Sequence, residues 1–140
     1  MIIREFERGD KQGVLEILKE TWSISKIDDS VLDEWMNNNY NFVAVDNDEI
    51  LGVLTLHTQR KLIRDGGIAG FIEDVAVKEK YRGKNIGSML VQEAVEKAKK
   101  LGCYKVILSC FPDKIKFYER NGFREELITM RFSIENIKIS

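Results

Sequence analysis

A strand, a turn with spaced glycines and a helix start follow one another directly over residues 73–87 (EDVAVKEKYRGKNIG). The branched side chains of residues 72–77 predict a buried strand, and residues 82–87 predict a turn that opens a helix. The first backbone N–H groups of a helix have no partner within it, and the helix dipole is positive at that end. The segment therefore predicts a phosphate or pyrophosphate site, to which Arg82 and Lys84 add positive charge.

Length and charge limit the remaining possibilities. A chain of 140 residues is expected to form a single domain over residues 1–140. The net charge of -1, from 22 basic and 23 acidic residues, gives no field that would attract nucleic acid or an anionic membrane, so neither is an expected partner. No run approaches the ~20 apolar residues of a membrane span, and nothing resembles a signal peptide. Cys103 and Cys110 fit neither a disulfide framework nor a metal signature, so we expect buried thiols, no metal and a cytoplasmic location.

Hydrophobic periodicity predicts a mixture of strands and helices. Strands are predicted at residues 2–6, 41–45, 50–57, 68–77, 106–108 and 127–134. Helices are predicted after caps at Asp10 and Ser30, over residues 85–101, and from Asp113 to residues 121–122. The apolar residues 106–108 are typical of a strand that is buried on both faces. The pattern predicts an α/β (mixed α+β) fold, in which a central mixed sheet of about six strands is flanked by about four helices.

Two motifs resemble those of the GNAT N-acetyltransferases, a family that uses acetyl-CoA. The first is RGKNIG at residues 82–87, which is similar to the family's pyrophosphate turn, and the second is FYERNGF at residues 117–123. The resemblance covers most of the chain after Ile50 and implies the GNAT fold, with acetyl-CoA as the acetyl donor. Asn85 stands where the family usually has glycine, and asparagine tolerates left-handed backbone better than most residues.

Within this family the chain is similar to the glucosamine-6-phosphate N-acetyltransferases. The likeness lies in QRKLIR at residues 59–64, IEDVAV at 72–77 and GCYKVIL at 102–108. Ser109 stands where those enzymes have an acid, and Lys114 where they have an asparagine. The resemblance implies direct transfer of acetyl to a primary amine, with glucosamine 6-phosphate as the leading acceptor. Another small amine, a peptide N-terminus and a non-catalytic acyl-CoA-binding module remain open as alternatives.

The resemblance also implies chemical roles for individual side chains. Glu73 would assist deprotonation of the amine through water, and Tyr118 would give a hydrogen bond or a proton to the departing thiolate. The structural alternatives are a strand-end acid paired with a lysine for Glu73, and a core aromatic for Tyr118. The residues implied in cofactor binding are Val75, Ala76, Val77, Arg82, Gly83, Lys84, Asn85, Ile86, Gly87, Ser88, Tyr118 and Arg120.

A phosphosugar would need a second basic site away from the pyrophosphate. Arginine forks suit phosphate oxygens, and the resemblance places further side chains against the sugar. The residues predicted to bind the acceptor are Lys61, Arg64, Asp74, Tyr104, Lys105, Ser109 and Arg131. The alternative is a solvated charged loop with a surface strand.

Three aromatic residues and the C-terminal segment complete the set of candidates. His57 is the single histidine and lies in a β pattern without a matching motif, so we expect a structural role for it. Trp22 and Trp35 are expected in the core. Related enzymes form dimers, and the glucosamine-6-phosphate enzymes complete their sugar site across the subunit contact. A homodimer is therefore expected, and the apolar and basic segment 130–139 would suit its contact.

Overall fold

The computed structural model describes residues 1–135 of the chain. The chain divides into two compact units, residues Met1–Leu108 and residues Ser109–Ser140. The first unit holds the sheet and the RGKNIG turn, and the second holds the FYERNGF motif. No helix among the described residues is both long enough and apolar enough to cross a membrane.

One five-stranded sheet forms the centre of the first unit. Its strands are β1 (Ile2–Glu5), β2 (Tyr40–Asp46), β3 (Glu49–Arg60), β4 (Ile68–Val77) and β5 (Cys103–Ile107). They lie side by side in chain order, with β1 to β4 antiparallel and β5 parallel to β4. The mixed α/β fold is confirmed, and the described residues contain five strands rather than about six.

Four helices belong to the first unit and one to the second. They are α1 (Lys11–Trp22), α2 (Asp29–Asn38), α3 (Ile63–Gly66), α4 (Ile86–Lys100) and, in the second unit, α5 (Ile115–Arg120). The predicted helix over residues 85–101 is confirmed as α4. The short α3 is a left-handed turn, because Arg64, Asp65 and Gly66 have φ angles of 57°, 54° and 75°.

Three predicted helix caps differ from the structure. The Asp10 carboxylate does not cap α1, because it accepts hydrogen bonds from the Arg4 guanidinium at 2.7 and 2.9 Å, and charge-assisted bonds of this kind are the stronger ones. Helix α2 begins at Asp29, one residue before the predicted cap. Asp113 lies in a 3-10 turn, and α5 begins only at Ile115.

The core lies on both faces of the sheet. On one face, α1 and α2 pack against β2 and β3, and Trp22 and Trp35 pack against this cluster as predicted. The buried residues of the cluster are Phe6, Val14, Ile17, Leu32, Val43, Ile50, Val53 and Ala76. On the other face, a Cβ at Gly52 would lie 2.9 Å from Leu90 Cδ1 of α4, so this glycine permits the close approach of the helix.

Strand β5 is one of the two edge strands of this sheet, β1 being the other. All five of its residues are half-buried, so the prediction of a strand buried on both faces is wrong. An edge strand lacks a neighbour on one side, which a short apolar run cannot reveal. Cys103 on β5 is half-buried and Cys110 in the second unit is exposed, which corrects the expectation of two buried thiols.

The second unit contains little regular structure. After α5 the chain turns at Gly122, whose φ is 93°, and residues 123–135 form neither helix nor strand. The predicted strand 127–134 is therefore wrong, because a strand forms only where a neighbouring strand takes up its backbone hydrogen bonds. Its apolar side chains are exposed, namely Leu127, Ile128, Met130, Phe132 and Ile134. Residues 136–139 of the expected dimer segment lie outside the described residues.

Candidate active site

The turn between β4 and α4 has left-handed backbone at two positions. A 3-10 turn covers Glu79–Tyr81, and α4 begins at Ile86. Gly83 has a φ of 81°, and Asn85, which precedes the first residue of the helix, has a φ of 65°, whereas Lys84 between them does not enter this region. Successive residues of alternating hand direct their N–H groups to one concave side, which makes an anion-binding nest.

Side chains anchor the approach to this turn. The Tyr81 hydroxyl donates to Glu49 Oε1 at 2.6 Å, and the Lys78 ammonium donates to Glu49 Oε2 at 3.0 Å and to Glu16 Oε2 at 3.1 Å. The Tyr81 hydroxyl, and after it the Lys78 ammonium, lowers the pKa of Glu49 to about 2. A carboxylate that is charged at neutral pH therefore links residues 78–81 to β3, and through Lys78 to α1.

The turn itself is open and carries positive charge. A Cβ at Gly83 would meet no atom within 4 Å, and residues 82–85 are all exposed. Arg82 Nε donates to the Val77 carbonyl at 3.1 Å, and this hydrogen bond holds the guanidinium beside the turn. Ile86 is buried and holds the first turn of α4 in the core, while Gly87 and Ser88 are half-buried. Open backbone donors beside Arg82 and Lys84 fit a diphosphate group.

Strand β4 carries a bulge shortly before this turn. Val53 pairs with Ala76 and Thr55 with Glu73, so that Asp74 and Val75 together face a single residue of β3. Asp74 has a φ of 52°, the left-handed conformation found at the first position of one type of bulge. Bulges of this kind bend a strand and are frequent next to active sites.

The edge of β4 that faces β5 is unpaired over residues 72–77 within the first unit. Strand β5 pairs with β4 only over residues 68–71, so the first unit has no strand beside residues 72–77 on that side. Val75 and Val77 are half-buried and Ala76 is buried, while their backbone groups lie along this edge. An unpaired strand edge can accept an extended chain that carries amide groups.

Polar side chains lie next to the core on the face of β3 and β4 that Trp35 of α2 contacts. Trp35 Nε1 donates to Thr55 Oγ1 at 2.9 Å, and Thr55 is the cross-strand neighbour of Glu73. Glu73 is exposed, and its Oε1 lies 3.3 Å from His57 Nε2, so its partner is a histidine and not a lysine. The structure therefore places His57 beside the candidate base, which the sequence did not reveal.

Asp74 is the second carboxylate at this point of β4. Its pKa is raised, because surrounding protein displaces part of its hydration and because the charge of Glu73 lies next to it. The two adjacent carboxylates therefore differ in environment. Glu73 has a hydrogen-bond partner in His57, whereas Asp74 is the carboxylate whose pKa is raised above its ordinary value.

Three of the residues that were predicted to bind the acceptor lie together at Tyr104. Arg64 Cζ lies 4.8 Å and Lys105 Nζ 5.6 Å from the centre of the Tyr104 ring. The Tyr104 hydroxyl is buried and has no hydrogen-bond partner among the described residues. Lys61 is half-buried at the start of the same loop. Two cations and an unsatisfied hydroxyl therefore lie together.

The second unit holds Tyr118, Arg120, Ser109 and Arg131. Tyr118 is half-buried on α5 and contacts the rings of Phe117 and Phe123 edge-on, at 4.9 and 5.8 Å. Burial, and after it the nearby Cys110 thiol, raises the pKa of Tyr118, so its hydroxyl keeps its proton at neutral pH. Ser109 Oγ lies 2.6 Å from Thr129 Oγ1, and Arg120 and Arg131 are exposed.

A mixed sheet with a bulged β4 and an open turn before α4 is the architecture of an acetyltransferase, and sequence comparison identifies the family. The chain belongs to the GNAT acetyltransferase family, whose pattern matches residues 11–123. It is 31% identical over 138 residues to the glucosamine 6-phosphate N-acetyltransferase of Arabidopsis thaliana, covering 91% of this chain and 93% of that protein.

Two further comparisons support this assignment. The crystal structure of glucosamine-6-phosphate N-acetyltransferase from Arabidopsis thaliana superposes with a TM-score of 0.87 at 29% identity, over 96% of this chain and 98% of that one. The glucosamine 6-phosphate N-acetyltransferase of Trypanosoma brucei brucei is 40% identical over 85 residues, covering 61% of this chain and 58% of that protein.

Proposed function

We propose that this chain is an acetyl-CoA-dependent N-acetyltransferase whose leading acceptor is glucosamine 6-phosphate. The observation that carries the proposal is the nest at Gly83 and Asn85, open to solvent and flanked by Arg82 and Lys84. The first amides of α4, from Ile86 to Ser88, would complete the set of donors for a diphosphate. The open edge at Val75, Ala76 and Val77 would pair with the amide groups of the pantetheine arm.

Glu73 and Tyr118 would handle the two protons of the reaction. Acetyl-CoA, when bound, supplies the acetyl group as a thioester. The amine nitrogen would form the new N–C bond as the C–S bond breaks, and Glu73 would take the proton that the amine loses, through water. Tyr118 holds its proton at neutral pH and would give it to the sulfur, and Arg120 on the same helix would contact the cofactor.

The phosphate of the acceptor would bind at the Tyr104 cluster. Arg64 and Lys105 carry the charge, and the buried Tyr104 hydroxyl still has a hydrogen bond to give. Lys61 would add charge from the loop, and Arg131 is also proposed to bind the acceptor. The relatives named for glucosamine 6-phosphate support this assignment of the acceptor. Asp74 would contact the sugar next to Glu73.

A second acceptor class follows from Ser109. Its hydroxyl is engaged with Thr129, and it carries no charge where an acid would attract an ammonium group. Another small primary amine, or a peptide N-terminus, is therefore the alternative acceptor on the same acetyl-transfer chemistry.

A thiol-release assay tests both readings. Acetyl-CoA is supplied with glucosamine 6-phosphate, glucosamine, other small amines and a peptide with a free N-terminus. We expect the highest kcat/KM with glucosamine 6-phosphate, and a loss of about tenfold or more with glucosamine, because one charge-assisted phosphate contact contributes about that much. Equal rates with both sugars would contradict the phosphate site. If the protein binds coenzyme A but acetylates none of these amines, the proposed enzymatic activity is contradicted and a non-catalytic binding module is favoured.

The assembly is the last part of the proposal. We propose one acetyltransferase domain over residues 1–140 and a cytoplasmic homodimer in which a second copy covers the exposed apolar segment 127–134. Phe132 is 87% and Met130 is 90% exposed, and apolar surface of this kind is uncommon on a monomer. Light scattering should give twice the 16.2 kDa chain mass, and Phe132→Glu should give the monomer mass. A wild-type mass of one chain would contradict the homodimer.

A further inference from the structure

His57 lies where it can fix the geometry of Glu73. The two residues stand on adjacent antiparallel strands, with His57 paired to Phe71 and Glu73 two residues further along β4. The imidazole stacks on the Phe71 ring, with 4.9 Å between ring centres and 7° between ring planes. Its Nε2 lies 3.3 Å from Glu73 Oε1. The ring is thus held on its face by Phe71 and has one nitrogen beside the carboxylate.

The direction of this contact follows from the chemistry of the partners. An ionised carboxylate only accepts hydrogen bonds, so Nε2 carries the hydrogen of this pair. The bond occupies Oε1 and leaves Oε2 of Glu73 for a water or an amine. Both side chains are accessible, with 31% of the His57 and 59% of the Glu73 side chain exposed. A flexible glutamate at a surface would otherwise sample several rotamers, and holding one of them favours proton transfer.

We propose that His57 is a positioning residue of the acetyl-transfer reaction, which orients the Glu73 carboxylate by donating a hydrogen bond from Nε2. The inference rests on the proposed function, because it assumes that Glu73 takes the amine proton. His57 acts through Glu73 and has no other part in the chemistry. A substitution that tests this role must remove the N–H donor of His57 and keep a ring stacked on Phe71.

Two substitutions separate these features. His57→Phe keeps an aromatic ring on Phe71 and lacks the donor, whereas His57→Gln keeps an N–H donor. We expect kcat to fall about tenfold in His57→Phe, with coenzyme A affinity and melting temperature near those of the wild type, and to recover to within about threefold in His57→Gln. Thr58→Val, on the next residue of β3 and the opposite face, is the control and should leave kcat unchanged. An unchanged kcat in His57→Phe, or an equal loss in both His57 variants, would overturn the inference.

A double variant tests whether His57 works through Glu73. If it does, His57→Phe combined with Glu73→Gln should be no slower than Glu73→Gln alone, whereas independent effects would multiply. A multiplied loss would therefore overturn the positioning role.

A spectroscopic measurement does not depend on turnover. His57 is the single histidine of the chain, so the ¹⁵N signals of its ring are assigned without ambiguity. At a pH where the ring is neutral, we expect its hydrogen on Nε2 in the wild type, and a measurable change of the Nε2 signal in Glu73→Ala, which lacks the acceptor. Identical spectra in both proteins would overturn the inference. Failure of the proposed function is distinct from this outcome, because it appears as a wild-type protein that acetylates no amine.

Discussion

Substituting Gly83 by alanine tests the nest directly. The φ of Gly83 is 81°, a conformation that glycine adopts freely and L-residues adopt at a cost. The new Cβ would meet no atom within 4 Å, so the substitution adds no clash. The entire effect therefore comes from the backbone conformation. Because the turn is exposed, the free variant can relax to a negative φ, and the cost then reappears when the turn must re-form around a diphosphate.

The expected loss of coenzyme A affinity follows from the free-energy cost of left-handed backbone alone. Left-handed backbone costs an L-residue roughly 1–2 kcal/mol, and each ~1.4 kcal/mol is a factor of ten in affinity. We therefore expect Gly83→Ala to raise the Kd for coenzyme A by about 5- to 30-fold. Asn85→Gly should act in the opposite direction, because Asn85 at a φ of 65° already bears part of this cost. Its Kd should be equal to or lower than that of the wild type.

Isothermal titration calorimetry with coenzyme A measures both effects. Gly9→Ala is the matched control, because a Cβ at Gly9 also meets no atom within 4 Å and Gly9 does not have a positive φ. This control should bind coenzyme A as the wild type does. An equal Kd for Gly83→Ala and Gly9→Ala would refute the reasoning, since the left-handed turn would then make no contribution to binding.

Three further predictions concern chemistry and stability. Tyr118→Phe should lower kcat at least tenfold with coenzyme A affinity unchanged, measured by thiol release, and an unchanged kcat would contradict its role as proton donor. The pKa of Glu49 is held at about 2, below its ordinary 4.5. The ionised Glu49 therefore stabilises the fold fully above about pH 4.5, and this stabilisation is lost as the pH falls toward 2. Glu49→Gln should therefore lower the Tm more at about pH 6 than at about pH 3, and an equal loss at both would contradict this. Gly13→Ala places a Cβ 2.5 Å from Ile50 Cγ1 and should destabilise the fold by about 1–3 kcal/mol by calorimetry, whereas no change would contradict the tight packing of α1.

The elements next to the nest followed closely from local sequence. Residues 68–77 form β4 as predicted, and residues 85–101 were predicted for the helix that forms over Ile86–Lys100. Branched residues favour a strand, while a helix with an apolar stripe that ends in lysines and a glycine is recognised from its own residues. Local backbone preferences also predicted that Asn85 tolerates a left-handed conformation, which it adopts.

The less accurate predictions concern segments whose structure depends on partners distant in the chain. Residues 127–134 have a strand-like composition but no strand to pair with among the described residues, and their apolar side chains remain exposed. Asp10 has the character of a helix cap, yet Arg4 on β1 takes its carboxylate. In both cases the sequence gives the local preference, and a partner that is present or absent in the fold decides the outcome.

From the sequence alone, the RGKNIG and FYERNGF motifs together predicted the family of the protein, and local backbone preferences predicted the turn before α4. Only the tertiary structure decided the surroundings of Glu73, because its contact with His57 spans 16 residues and depends on the register of β3 against β4. A bulge at Asp74 shifts that register by one residue, and such a shift changes which side chains share a face. Local backbone preferences encode the turn, whereas the register between β3 and β4 brings His57 and Glu73 together.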